Sequence, residues 1–203
     1  MKNRNYWIAC GLAAVCAALA GFWLARQLDS SAPQLASGTW LPHARALKEV
    51  ALVDTKGQAF TSAQLRGHPT VVFFGFTHCP DVCPTTLAKL AQVRKAAALP
   101  DLKVLMVSVD PTRDTPDALN QYVQAFDPEF LGVTGTQAAI DKMTSDFGVA
   151  VARTNLPGGD YTVDHSAALF LLNANGKLAA VFTPPFDINL IAQDLRTAAP
   201  ALL

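Results

Sequence analysis

An unbroken apolar run, Val71-Val72-Phe73-Phe74-Gly75-Phe76, leads directly into Thr77-His78-Cys79-Pro80-Asp81-Val82-Cys83-Pro84 and then into a helical stripe of Leu87, Leu90, Ala91 and Val93. A strand that does not alternate is covered on both faces, as in a parallel sheet. Asp81 is placed to cap the following helix, and Pro84 falls in its first turn, where a missing N–H costs nothing. This stretch commits the chain to a strand–helix unit of an α/β fold, with two cysteines at the junction. A helix start offers free N–H groups and a partial positive charge. Both favour thiolate over thiol, so Cys79 and Cys83 are expected to be reactive or metal-binding. A structural disulfide or a pair of inert buried thiols is the plainer reading, but neither needs a strand–helix junction. The thioredoxin-type redox motif has two residues between its cysteines. Here there are three, Pro80, Asp81 and Val82, a spacing that suits a metal bite at least as well as disulfide exchange.

The other elements follow in order. Residues 47–53 and 59–60 flank the turn Asp54-Thr55-Lys56-Gly57 and signal a hairpin, followed by a helical turn at 61–65. Strands are expected at 103–109 and 130–133, helices at 115–126 and 136–147, and a further strand at 149–152. Residues 155–163, with Pro157-Gly158-Gly159, read as a loop. Strands at 167–172 and 178–182 join through Asn173-Ala174-Asn175-Gly176-Lys177, and a helix at 188–197 closes the chain. Strands alternating with helices, then a late hairpin, predict a thioredoxin-like α/β sandwich with inserted helix and strand elements. The length of 203 residues allows one such domain with a full core.

Residues 7–25 carry no charge, and Lys2 and Arg4 precede them. That is long enough for one transmembrane helix, and Trp7 and Trp23 suit its two interfaces. The expected organisation is an uncleaved membrane anchor at 1–26, a flexible tether at 27–46 and the folded domain at 47–203. The positive flank keeps the N-terminus cytoplasmic, so the domain lies on the periplasmic side of the inner membrane. A cleaved signal peptide ending near Ala18-Leu19-Ala20 is the alternative. Cys10 and Cys16 are small apolar residues of this segment, which leaves Cys79 and Cys83 as a pair of their own rather than half of a disulfide framework. Sixteen basic residues balance sixteen acidic ones, and no basic patch interleaves with aromatics, so nothing points to nucleic acid.

The stretch Gly75-Phe76-Thr77-His78-Cys79-Pro80-Asp81-Val82-Cys83-Pro84 resembles the signature of the Sco (SenC) family of copper-binding assembly factors. Three further stretches match in order: Ser108-Val109-Asp110-Pro111-Thr112-Arg113-Asp114-Thr115-Pro116, Leu131-Gly132-Val133-Thr134-Gly135-Thr136 and Val163-Asp164-His165-Ser166. The resemblance covers residues 50–196. It implies that Cys79, Cys83 and His165 bind copper. Two thiolates and one imidazole form a soft set that suits Cu(I) and tolerates Cu(II). Zinc is the other metal to weigh, but structural zinc wants four protein ligands and only three are evident. His78 adjoins Cys79 and is expected at the surface or outside the ligand set. Asp164 is an outer or oxygen ligand or simply a loop carboxylate, and Asp110 and Arg113 are expected to fix the neighbouring loop.

The resemblance further implies a metallochaperone that delivers copper to the binuclear centre of cytochrome c oxidase subunit II. Its partners would include an upstream copper donor and a thioredoxin-like reductant. Whether the chain is also an enzyme stays open. A thiol–disulfide oxidoreductase that reduces the recipient's cysteines needs only Cys79 and Cys83. A thiol peroxidase is suggested by Val82-Cys83-Pro84-Thr85, but such a cysteine needs no partner four residues upstream. His165 separates the first reading from the second.

Overall fold

The computed structural model describes residues 2–28 and 32–203, with side chains described at Trp7, at 10–23 and from 32 onward. The chain divides into two compact units, Met1–Ala32 and Pro33–Leu203. The first holds helix α1 (Lys2–Leu28). Among the described residues no helix is long and apolar enough to cross a membrane. The expected anchor is therefore not supported here.

The second unit is built on β1 (Gly38–Arg45), β2 (Ala51–Asp54), β3 (Ala59–Thr61), β4 (Thr70–Gly75), β5 (Lys103–Ser108), β6 (Leu131–Thr134), β7 (Val151–Asn155), β8 (Tyr161–His165), β9 (Leu169–Leu172) and β10 (Leu178–Phe182). Its helices are α2 (Val82–Ala97), α3 (Pro116–Gln124), α4 (Gln137–Phe147) and α5 (Ile188–Leu202). Eight strands form one sheet in the order β1-β10-β9-β4-β5-β6-β2-β3, and β7 pairs with β8 apart from it. The three central strands β4, β5 and β6 are parallel, and the outer ones are added antiparallel. That arrangement is the thioredoxin-like sandwich expected from the order of elements.

Every residue of β4 is buried, as its unbroken apolar run requires. Phe73, Phe74, Leu105 and Met106 are fully enclosed, and each such side chain contributes about 1.5–3 kcal/mol by leaving water. Helix α2 packs its Leu87, Leu90 and Val93 into this core. Helix α3 starts at Pro116 with Thr115 as its cap, and Thr136 caps α4 in the same way.

Two expectations need correction. The segment 27–46 is not a tether throughout, because Gly38–Arg45 adds β1 to the sheet edge beside β10. Its start is fixed by Asp194 of α5, a carboxylate only 1 % exposed. Asp194 accepts hydrogen bonds from the amides of Ala36 (2.6 Å), Ser37 (2.8 Å) and Gly38 (3.0 Å) and from the Ser37 hydroxyl (2.8 Å). Asp194→Ala leaves those donors without an acceptor. The expected result is a loss of about 2 kcal/mol or more in denaturant unfolding, with faster hydrogen exchange at residues 36–40. Unchanged exchange there would contradict the clamp. The second correction concerns residues 155–163. They are not wholly a loop, since Tyr161–His165 pairs antiparallel with Val151–Asn155, and His165 stands opposite Val151. The turn at Pro157-Gly158-Gly159 joins two strands.

Candidate metal centre

The site lies at the C-terminal end of β4, where open α/β sheets place their functional groups. Between Gly75 and Val82 the chain makes a tight turn in which the Cys79 amide donates to the Phe76 carbonyl (3.3 Å). Buried Asp114 holds this turn from the loop after β5. Its carboxylate accepts from the Thr77 amide (3.1 Å), the Thr77 hydroxyl (2.6 Å) and the Ser108 hydroxyl (2.6 Å). His78 is turned outward, 54 % exposed, with Nδ1 3.0 Å from the Thr77 hydroxyl. It stays outside the sulfur cluster, as its place beside Cys79 suggests.

Asp81 precedes α2 but makes no side-chain cap bond. The sulfur of Cys79 does that work, because the Cys83 amide donates to Cys79 Sγ at 3.3 Å. One of the free N–H groups at the helix start is thereby satisfied by a prospective ligand atom. Cys83 itself is completely buried. Burial pushes its thiol far up from its ordinary range; the adjoining Cys79 sulfur adds to this, and a backbone hydrogen bond at Phe76 opposes it. The expected thiolate is therefore not the resting form of Cys83. Desolvation outweighs the helix N-terminus, and a metal entering this position must displace a proton.

Gly75 explains how Cys83 fits. A Cβ at position 75 would lie 2.7 Å from the Phe73 ring and 3.2 Å from Cys83 Sγ. Gly75→Ala is expected to force the sulfur and the ring apart, at a cost of about 1–3 kcal/mol in denaturant unfolding. The size of the loss is the check, since an exposed strand glycine would gain stability from the same change.

His165 arrives from the other sheet. Its Nε2 stands 3.4 Å from Cys83 Sγ, and its Nδ1 lies 3.1 Å from the Ser166 carbonyl. A carbonyl only accepts, so Nδ1 carries the proton and Nε2 presents its lone pair to the sulfur. Burial lowers the affinity of the ring for a second proton, partly offset by the Ser166 carbonyl and Asp164. The imidazole is thus neutral and correctly polarised for a ligand, its outer N–H held by a backbone carbonyl. The rings of Phe73 and Phe76 meet it edge-on at 6.0 Å each.

The hairpin that carries His165 is tied to the loop beside the cysteines by Asp110, which has no exposed surface. Its carboxylate accepts from Arg113 Nε (2.5 Å), the Tyr161 hydroxyl (2.6 Å) and an Arg153 guanidinium nitrogen (3.4 Å). Arg113 lies 3.9 Å over the Tyr161 ring and donates to the Tyr161 carbonyl (3.1 Å). Asp110 and Arg113 do fix a loop, as expected, but what they hold is the histidine's own hairpin. Nothing in the sequence singles out Tyr161 or Arg153. Thr77 and Asp114 both lie in the family-like motifs without an assigned role, and a carboxylate just past a buried strand is the available signal for Asp114.

Cys79, Cys83 and His165 are therefore brought together, with Cys83 as the shared neighbour. Among the described residues no three His, Cys, Asp or Glu side chains are already arranged to hold a metal ion. The donors are engaged with one another. A cavity of about 300 Å³ opens beside them, lined by Phe76, Cys79, Val82, Asp164 and His165 among others. Asp164 is exposed and faces this opening. Cys79 and His165 stand at the mouth and Cys83 behind them.

The family model described as SCO1/SenC matches residues 41–200. A SCO2-like protein of Rickettsia prowazekii is 38 % identical over 130 residues, covering 62 % of this chain and 63 % of its own length. This chain thus spans less than two thirds of that relative. The mitochondrial SCO2 homolog of Bos taurus is 38 % identical over 196 residues, covering 91 % of this chain and 72 % of its own. Among solved structures, copper-bound ScoI of Bradyrhizobium japonicum superposes with a TM-score of 0.69 at 35 % identity, covering 77 % of this chain and 99 % of that one.

Proposed function

The chain belongs to the SCO1/SenC family, and on that footing we propose that it binds copper through Cys79, Cys83 and His165 and delivers it during cytochrome c oxidase assembly. One observation carries the reading: the Nε2 lone pair of a neutral histidine meets Cys83 Sγ at 3.4 Å, while Cys79 Sγ sits on the Cys83 amide. The donor set fits the cargo, since two sulfurs and an imidazole are soft ligands. Cys83 gives up its proton on loading, Cys79 exchanges its amide hydrogen bond for the metal, and Ser166 keeps the His165 ring in place. Three protein ligands leave a position for an incoming donor, so copper passes by ligand exchange through the mouth formed by Cys79 and His165. The proposed recipient is the binuclear centre of cytochrome c oxidase subunit II, served by an upstream copper donor and a thioredoxin-like reductant. The domain acts on the periplasmic side of the inner membrane, with the N-terminal segment as its anchor; the uncharged stretch 7–25 behind Lys2 and Arg4 supports this.

The alternative is a thiol–disulfide oxidoreductase that reduces the recipient's cysteines. The adjoining sulfurs of Cys79 and Cys83 support it, and their oxidation would release two electrons and two protons. The two readings make a joint prediction. The disulfide removes both thiolates, so oxidation and copper loading exclude each other. Oxidised chain should bind no copper at this site, and reduced chain one equivalent per chain, as read by metal analysis after gel filtration. Full loading of the oxidised form would contradict the ligand assignment.

A further inference from the structure

At the opposite end of the sheet, where β4 and β6 begin, lies a cavity of about 410 Å³, larger than the one beside the cysteines. It exists because β2 pairs with β6 only at Val133 and Thr134. Leu131 and Gly132 therefore have no β2 partner on that edge, and the 54–58 turn arches past them. The apolar part of the lining is Phe60, Leu131 and Val133. Leu131 is 42 % exposed, unusual for a leucine in a sheet of this kind. The same cavity is lined by three basic residues, Lys56, Arg66 and His68. Lys56 and Arg66 have no ion-pair partner among the described residues. The one carboxylate in the lining, Asp54, holds its own turn through Oδ1, which accepts from the amides of Lys56 (2.9 Å) and Gln58 (2.8 Å). His68 is oriented by Nδ1, 3.0 Å from the Thr70 hydroxyl, which leaves Nε2 unengaged.

An apolar patch in a cavity also lined by two cations without ion-pair partners among the described residues suits a ligand of matching amphipathic shape. We propose that this cavity binds a small aromatic carboxylate, with the ring on the exposed Leu131 and the edge of Phe60, Val133 lying buried behind them, and the carboxylate between Lys56 and Arg66. Its position at the N-terminal ends of the strands leaves the Cys79–His165 mouth open, so a ligand bound here does not obstruct copper exchange. The inference stands independently of the copper reading.

The test uses the full chain in neutral detergent micelles with labelled methyl groups, titrated with 2-naphthoate and with uncharged naphthalene-2-methanol. Naphthoate should shift the Leu131 and Val133 methyls saturably, leaving Val82 and Ala167 by the cysteines unmoved. The alcohol should bind weakly. Replacing both cations (Lys56→Gln with Arg66→Gln) should weaken naphthoate about tenfold, the sum of two exposed charge contacts. Both residues are exposed, so the fold should survive, and an unshifted Val107 methyl would verify it. Equal binding of acid and alcohol, an unaffected double variant, or shifts confined to Leu12 and Leu19 of α1 would overturn the proposal.

Discussion

Asp110→Ala should lower the stability of the Pro33–Leu203 unit by about 3–5 kcal/mol, the penalty for removing one partner from a buried ionic cluster. Asp110 has no exposed surface, and its carboxylate faces Arg113 Nε, Arg153 and the Tyr161 hydroxyl. Without it, the Arg113 guanidinium, whose side chain is 19 % exposed, is left in a poorly solvated place with no buried counter-charge. The exposed carboxylate of Asp160, 3.3 Å away, is too well screened to replace it. The loss is not only global. Arg113 and Tyr161 bind β8 to the loop after β5, and β8 ends at His165. Amide exchange along β8 should therefore accelerate beyond what the drop in global stability explains. Asp110→Asn keeps an acceptor for Tyr161 but loses the charge facing two guanidinium groups, and should fall between wild type and Asp110→Ala. Unfolding in urea gives the first quantity and hydrogen exchange the second. A variant that loses stability while β8 exchanges as in wild type would make Asp110 a packing residue without influence on the histidine.

The strand–helix unit was legible because it is local. The six apolar residues 71–76 read as a strand covered on both faces; five of them fall in β4, and every residue of β4 is buried. The state of Cys83 was not legible. Helix-terminal charge is visible in the neighbouring sequence, whereas the covering of Cys83 includes His165, on a hairpin 82 residues away. Asp81 looked like a cap, but its backbone (φ −142°, ψ −63°) does not aim the carboxylate at the helix, and a cysteine sulfur takes that role. Strand β1 was hidden because it is an edge strand. Four of its residues run exposed in sequence at Pro42, His43, Ala44 and Arg45, and an edge admits the proline that argued against a strand. In the β7–β8 hairpin Val163 is the one buried residue, with Val151, Tyr161, Thr162 and His165 half-buried and the rest exposed, so no clean alternation marks β8, and the glycines of its turn read as a longer loop. The three proposed ligands were found by motif, but what positions them, Asp114 under Thr77 and Asp110 under Tyr161, comes from contacts that no spacing encodes.

His165→Ala has the largest expected functional effect, and it separates the two readings. Replacing Cys79 or Cys83 removes a thiolate and destroys the dithiol, so either variant fails whether the chain carries copper or exchanges disulfides. His165→Ala leaves both sulfurs. It opens space beside Phe73 and Phe76, whose rings contact the imidazole edge-on, and it removes the one nitrogen donor. The remaining dithiolate should still hold Cu(I), but more weakly. Cu(II), which gains most from the imidazole, should be lost or reduced by a hundredfold or more, roughly the upper range for disturbing a metal site through its supporting groups. Measured on the purified chain, the expected result is loss of the Cu(II) absorption with an intact free-thiol count.

The central claim is tested most directly in cells that depend on this chain for oxidase assembly, grown at limiting copper with His165→Ala in place of the wild type. The account predicts failure of active oxidase to accumulate, with partial recovery on added copper. Normal amounts of active oxidase at limiting copper would contradict delivery through Cys79, Cys83 and His165 and leave thiol exchange as the function of the pair.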